Sequence, residues 1–393
     1  MGLKAINHAK IITLDSVIDD GVIIFDARII EVLSQAEFEK LNFEGEVIDA
    51  KGLYLSPGFI DIHTHGAGGS ETMDGSAESV LAMAHTHARH GTTSILPTTL
   101  AANTKELSKV MDAVRPLVGK SSNGARILGI HLEGPFLSKE FCGAQNADEI
   151  GPPTKVDIEN LKPYLPIIKM MSMAPELEGV CEYATELRKA GIVCSVGHSA
   201  AEYVDMKRAV ESGFTHVTHL YSACSTIKRI NAYRHLGVIE SAYLFDELTV
   251  DIIADGRHLP YELVQLILKC KGIDHTVLIS DSLCFAGSDI TEGRIYTASN
   301  GIEVVYEDEV MKMADRTAFA GSVATGDVLL RNTKLYVGVA IVDAVKMMTR
   351  NPAKVLGLEN EIGTLAKGAK ADFALFDDEI NIAMTFIEGE KIL

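Results

Sequence analysis

Beyond residue 57 the chain repeats one pattern, a short apolar run followed by a longer stretch of helical texture. Apolar runs fall at 59–62, 94–97, 126–131, 167–173, 192–197, 216–220, 248–253 and 276–280, each of strand length. Stretches such as 78–89, 105–117, 177–190 and 203–212 read as helices between them. Eight strands alternating with helices predict an α/β fold, a closed parallel (β/α)8 TIM-like barrel. An open doubly wound sheet is the competitor, but its Gly-rich dinucleotide fingerprint is absent after the first strand. The two ends of the chain differ. Runs at 9–14, 21–25, 28–33 and 47–49, and again at 368–376, 383–387 and 392–393, are short β segments. A small β-sandwich domain assembled from residues 1–55 plus 352–393 is expected beside a barrel domain of 56–351.

Composition narrows the class. Of 393 residues, 47% are hydrophobic and 23% charged, as in a soluble globular protein. With 54 acidic against 36 basic residues the net charge is -18, which argues against nucleic acid and anionic membrane surfaces as partners. Six cysteines without a Cys-x-x-Cys pair point to a reduced setting. No apolar signal core opens the chain, and no run approaches the roughly 18 apolar residues of a membrane span, so a cytoplasmic location is expected.

Candidate chemistry sits at the strand ends. In Pro57-Gly58-Phe59-Ile60-Asp61-Ile62-His63-Thr64-His65, alternation along a strand sends His63 and His65 to the same face, spaced for one metal ion. An isolated pair of this kind would as readily be chance. The same spelling recurs in His85-Thr86-His87, but in an alanine-rich helical stretch. There, positions i and i+2 diverge by roughly 200°, so these two cannot share an ion.

Four further strand ends carry Glu133 (His131-Leu132-Glu133-Gly134-Pro135), His198 (Gly197-His198-Ser199), His219 (His216-Val217-Thr218-His219) and Asp281 (Ile279-Ser280-Asp281). His216 and His219 face opposite sides of a strand, and His219 is the one nearer its C-terminal end. A barrel rim brings these six residues together as four imidazoles and two carboxylates, enough for two adjacent first-row ions bridged by Glu133. Such a set implies metal-assisted hydrolysis, with Asp281 placed to accept a proton from water and return it to a leaving amine. His258, after the seventh strand, is placed to polarise the attacked carbonyl.

These motifs, with Thr218-His219-Leu220-Tyr221, Asp255-Gly256-Arg257-His258, Ala320-Gly321-Ser322 and Asn351-Pro352-Ala353, resemble the N-acetylglucosamine-6-phosphate deacetylase family of the amidohydrolase superfamily. The resemblance spans nearly the whole chain, in the family's order. It implies a barrel with a small β-sandwich and removal of the N-acetyl group from a phosphorylated amino sugar. Members that keep the first His-x-His pair bind two metals, and this chain keeps it. Glu133 would then bridge two zinc or iron ions, with His198 and His219 on one and His63, His65 and Asp281 on the other. A homodimer is implied through an arginine that reaches the neighbouring subunit's phosphate.

Departures concentrate at the sugar. Gln145 stands where the family usually has a substrate-touching histidine, and Ser222 and Ala223 stand where it has asparagine and alanine at the phosphate. Arg234 is the counterpart of the shared arginine by spacing, with Lys228 and Arg229 as possible substitutes. Ser322 completes the implied substrate contacts. Three functions are therefore in play: a deacetylase of N-acetylglucosamine 6-phosphate, the same chemistry on N-acetylgalactosamine 6-phosphate or an N-acyl amino acid, and a non-catalytic barrel binding protein.

Overall fold

The apolar runs form the staves of a parallel barrel in the computed structural model, which describes residues 2–297 and 301–393. In order they are Phe59–Thr64, Thr92–Thr99, Arg126–Ile127 continuing as Ile130–Glu133, Ile168–Met173, Val193–Val196, Phe214–Val217, Thr249–Ile252 and Thr276–Leu278. Each pairs in parallel with the next. The ring closes just past the eighth strand: Asp281 N–H donates to His63 O and His65 N–H to Ser282 O, both at 2.9 Å. His63, His65 and Asp281 therefore sit on the closing seam.

Helices follow the strands because each carries one apolar face. Ala77–Arg89 starts at Ser76, whose side chain accepts the Ser79 N–H, and buries Val80, Met83, Ala84, His87 and Ala88. His85 points to solvent and His87 is fully buried, so the second His-x-His pair splits as helical geometry requires. Burial, followed by repulsion from His90, pushes the His87 imidazole down to about 3 from 6.5. Between those values the unfolded chain binds a proton that the native chain refuses, so stability falls as pH drops through the window. At about 1.4 kcal/mol per pKa unit this makes buried His87 an acid liability of the fold. His87→Gln is expected to flatten the acid limb of melting temperature against pH; an unchanged slope would contradict it.

Both termini build one eight-stranded sheet. Phe373–Phe376 joins the halves, pairing antiparallel with Tyr54–Pro57 on one side and Ile382–Ile387 on the other. Phe25, Phe373 and Phe386 pack edge to face in its core, 5.1 and 6.0 Å between the ring centroids of Phe25 and its two partners. Arg126 of the barrel, 3% exposed, grips Asp372 of the terminal segment at 2.6 and 3.1 Å, with Glu388 at 3.3 Å. Asp372→Ala strands a buried guanidinium and is expected to cost about 3–5 kcal/mol in chemical unfolding. A loss below about 1 kcal/mol would contradict this.

Two β features escaped the sequence reading. After the eighth strand an antiparallel sheet is inserted, Ile295–Thr297, Glu303–Glu307, Val310–Met313 and Phe319–Gly321. A hairpin, Lys228–Ile230 with Tyr233–His235, follows the sixth. Their turns place Asp308-Glu309 and Asn231-Ala232 at positive φ without the Asn-Gly spelling that marks such turns in a sequence. No helix among the described residues is long and apolar enough to cross a membrane.

Candidate metal centre

Six side chains from five strand ends converge. Glu133 Oε1 lies 2.8 Å from His219 Nε2, 3.1 Å from His198 Nε2 and 3.6 Å from His63 Nε2. Its other oxygen, Oε2, lies 3.3 Å from His65 Nε2. Asp281 Oδ1 faces the first pair, 3.1 Å from His65 Nε2 and 3.3 Å from His63 Nε2. The donors fall into two groups, His63-His65-Glu133 and Glu133-His198-His219, each with ligand atoms within 4.8 Å of one another and sharing Glu133. His198, His219 and Asp281 turn in at φ 47°, 33° and 46°, a left-handed conformation that non-glycine residues rarely adopt. Three such residues side by side are typical of a functional site.

The protein also sets the tautomers. His65, His198 and His219 direct Nδ1 at the carbonyl oxygens of Thr98 (3.2 Å), Phe141 (2.9 Å) and Ser222 (3.1 Å). A carbonyl only accepts, so Nδ1 carries the hydrogen and each Nε2 turns its lone pair toward the centre. Nε2 of His63 and His65 approach to 3.3 Å. Burial raises the Glu133 and Asp281 carboxyls, and only cationic charge at the centre holds both below the usual range. Inward lone pairs around two anionic carboxylates in a dry pocket leave one need, positive charge at the middle. Divalent cations fit that donor set.

A second layer, missed in the sequence, holds these groups. Asp61 ties the seam, accepting the His63 and Ser280 N–H groups (3.2 and 3.3 Å) and the Ser280 hydroxyl (2.5 Å). Asp251 accepts the His219 N–H and sits 2.9 Å from His216 Nε2, which leaves His216 outside the centre. Asp255 takes His258 Nδ1 at 2.7 Å and the backbone N–H groups of Arg257 and His258. The only sequence signal of this layer is an aspartate near each strand end, which the contacts alone make meaningful.

The centre opens into a cavity of about 420 Å³ lined by His65, Glu133, His198, His219 and Asp281 and, farther out, by Gln145, Tyr221, Ser222, Ala223, His258 and Phe319. His258 packs against Phe319 from the inserted sheet, ring centroids 4.8 Å apart. The Ser222 N–H is already bonded to His219 O. Ser322 lies behind the wall rather than on it: fully buried, its hydroxyl accepts the Ala324 N–H and its backbone pairs with Asp281 and Leu283. Arg234 and Arg229 sit on the exposed hairpin away from this cavity, Arg234 over a hollow shared with Tyr203, Val204 and Leu244. Lys228 stands at the rim, 3.6 Å from Glu140 and over the Phe141 ring.

Residues 54–392 match the family model described as the amidohydrolase family. The chain is 31% identical to the N-acetylglucosamine-6-phosphate deacetylase of Haemophilus influenzae across 98% of both sequences, and 30% identical to that of Bacillus subtilis across 98% of this chain and 96% of the relative. Among solved structures, N-acetylglucosamine-6-phosphate deacetylase from Pasteurella multocida superposes with a TM-score of 0.91 at 28% identity, covering 99% of each chain. A mutant of the Mycobacterium smegmatis enzyme, in complex with N-acetyl-D-glucosamine-6-phosphate, superposes at 0.88 with 25% identity over all of both chains.

Proposed function

Since the chain belongs to the amidohydrolase family, within its N-acetylglucosamine-6-phosphate deacetylases, we propose that it hydrolyses the acetamide of N-acetylglucosamine 6-phosphate to glucosamine 6-phosphate and acetate. The observation that carries this is the Glu133-centred cluster at the floor of a sugar-sized cavity. Divalent ions, zinc or iron, would be held by Glu133 together with His198 and His219 on one side and His63, His65 and Asp281 on the other, two ions in all on this reading. Such ions acidify water and polarise an amide carbonyl.

The residues of the chain supply the rest. Asp281 accepts a proton from the attacking water as its oxygen bonds to the carbonyl carbon. It then delivers that proton to the amine nitrogen as the C–N bond breaks, so the carboxylate is restored and acetate departs. His258, held at Nδ1 by Asp255, presents Nε2 to the developing oxyanion.

At the phosphate, the described residues that line the cavity include no lysine or arginine. Lys228 at the rim and Arg234 from a second copy are the cations this reading assigns. Exposed Val204, Tyr233 and Leu244 (70%, 75% and 60%) around the Arg234 hollow support a homodimer there. The missing basic lining favours one second reading, in which the same centre serves another N-acyl substrate. An acetate-release panel separates them. Selective turnover of N-acetylglucosamine 6-phosphate supports the proposal, and activity confined to N-acetylgalactosamine 6-phosphate, unphosphorylated sugars or N-acyl amino acids overturns it.

A further inference from the structure

Gln145 is not aimed at the open cavity alone. Its Nε2 donates to Glu133 Oε2 at 2.6 Å, while its Oε1 accepts the Ala101 N–H at 2.8 Å. Gln145 as a whole is 7% exposed, so both bonds lie in a water-poor setting where they are strong. The Ala101 N–H also fixes which way the amide faces. A flipped amide would oppose N–H to N–H on one side and oxygen to carboxylate on the other. The donor end is thereby locked onto Glu133.

The consequence falls on the most demanding ligand of the centre. A carboxylate shared between two groups of imidazoles must keep Oε1 toward His198 and His219 and Oε2 toward His65. Rotation about the last torsion of a glutamate is soft. Two imidazoles lie within 3.1 Å of Oε1, placing it toward the same cation as their lone pairs, whereas the sole imidazole near Oε2 among these six residues is at 3.3 Å. Gln145 is the group that fixes Oε2, taking one of its lone pairs and leaving the other for a cation. The chain runs from the Ala101 backbone, just past the second strand, through Gln145 to Glu133 at the end of the third.

We propose that Gln145 is a positioning residue for Glu133, and that its amide donor sets how tightly the centre holds divalent cations. The inference rests on the reading of this cluster as a metal centre. Partners of this kind contribute about 10- to 100-fold in metal affinity.

The test uses the full-length protein, stripped of metal and titrated with Zn2+ against a chromophoric chelator. Gln145→Met keeps the volume and removes the donor; Gln145→Ala is the second variant. Affinity is read in whichever variant keeps the wild-type melting temperature without metal. Zn2+ affinity about 10- to 100-fold below wild type supports the clamp. Wild-type affinity in that variant overturns the clamp and leaves the centre standing. A wild-type protein that takes up no Zn2+ overturns the centre itself, and the clamp with it.

Discussion

Asp281→Asn is expected to lower acetate release by about 10²- to 10⁴-fold while metal stays bound, the range a positioned acid–base group supplies. The asparagine keeps the shape of the side chain and one oxygen toward His63 and His65, which Asp281 Oδ1 approaches at 3.3 and 3.1 Å. It loses the ability to take a proton, because an amide oxygen is a far weaker base than a carboxylate. Asp281 is suited to the exchange: it stands at the cavity wall with 14% of its side chain exposed, whereas Glu133 has 2%. Acetate release and elemental metal content, measured on one preparation, decide the matter. Unchanged turnover at unchanged metal content would end the proton-transfer role, and joint loss of both would make Asp281 chiefly a ligand.

The second large effect concerns ion number. Replacing His63 and His65 together by asparagine is expected to lower bound metal from two equivalents to one, since His198, His219 and one oxygen of Glu133 remain as a complete group. Glu133→Ala removes the residue common to both groups and is expected to empty both. Turnover should fall in each case, most in the second. Elemental analysis after reconstitution reads the outcome. A single equivalent in the unmutated protein, unchanged in the double variant, would contradict the two-ion account.

Much of this site is legible in the amino-acid sequence alone. Strand periodicity put His63 and His65 on one face, helix periodicity separated His85 from His87, and the strand-end positions of Glu133, His198, His219 and Asp281 implied a common rim. These are local signals, and a barrel converts them into proximity by topology alone. What stayed hidden depends on contacts between distant residues. Asp61 meets Ser280 across the closing seam, and Gln145 bridges Ala101 to Glu133; neither pairing leaves a trace in spacing. Ser322 shows the reverse, a motif residue whose hydroxyl is spent on a backbone N–H behind the wall. The inserted sheet stayed unread because its turns use Asp308-Glu309 where an Asn-Gly pair would have announced a hairpin.

The central claim is that the Glu133-centred cluster is a metal site that deacetylates N-acetylglucosamine 6-phosphate. The most direct test follows acetate release from that compound by one preparation as isolated, after chelation, and after stepwise return of Zn2+ or Fe2+, with bound metal determined at each step. The account predicts turnover that disappears on chelation and returns in proportion to bound metal. Turnover that persists in the metal-free protein, or none at full metal occupancy, would contradict it.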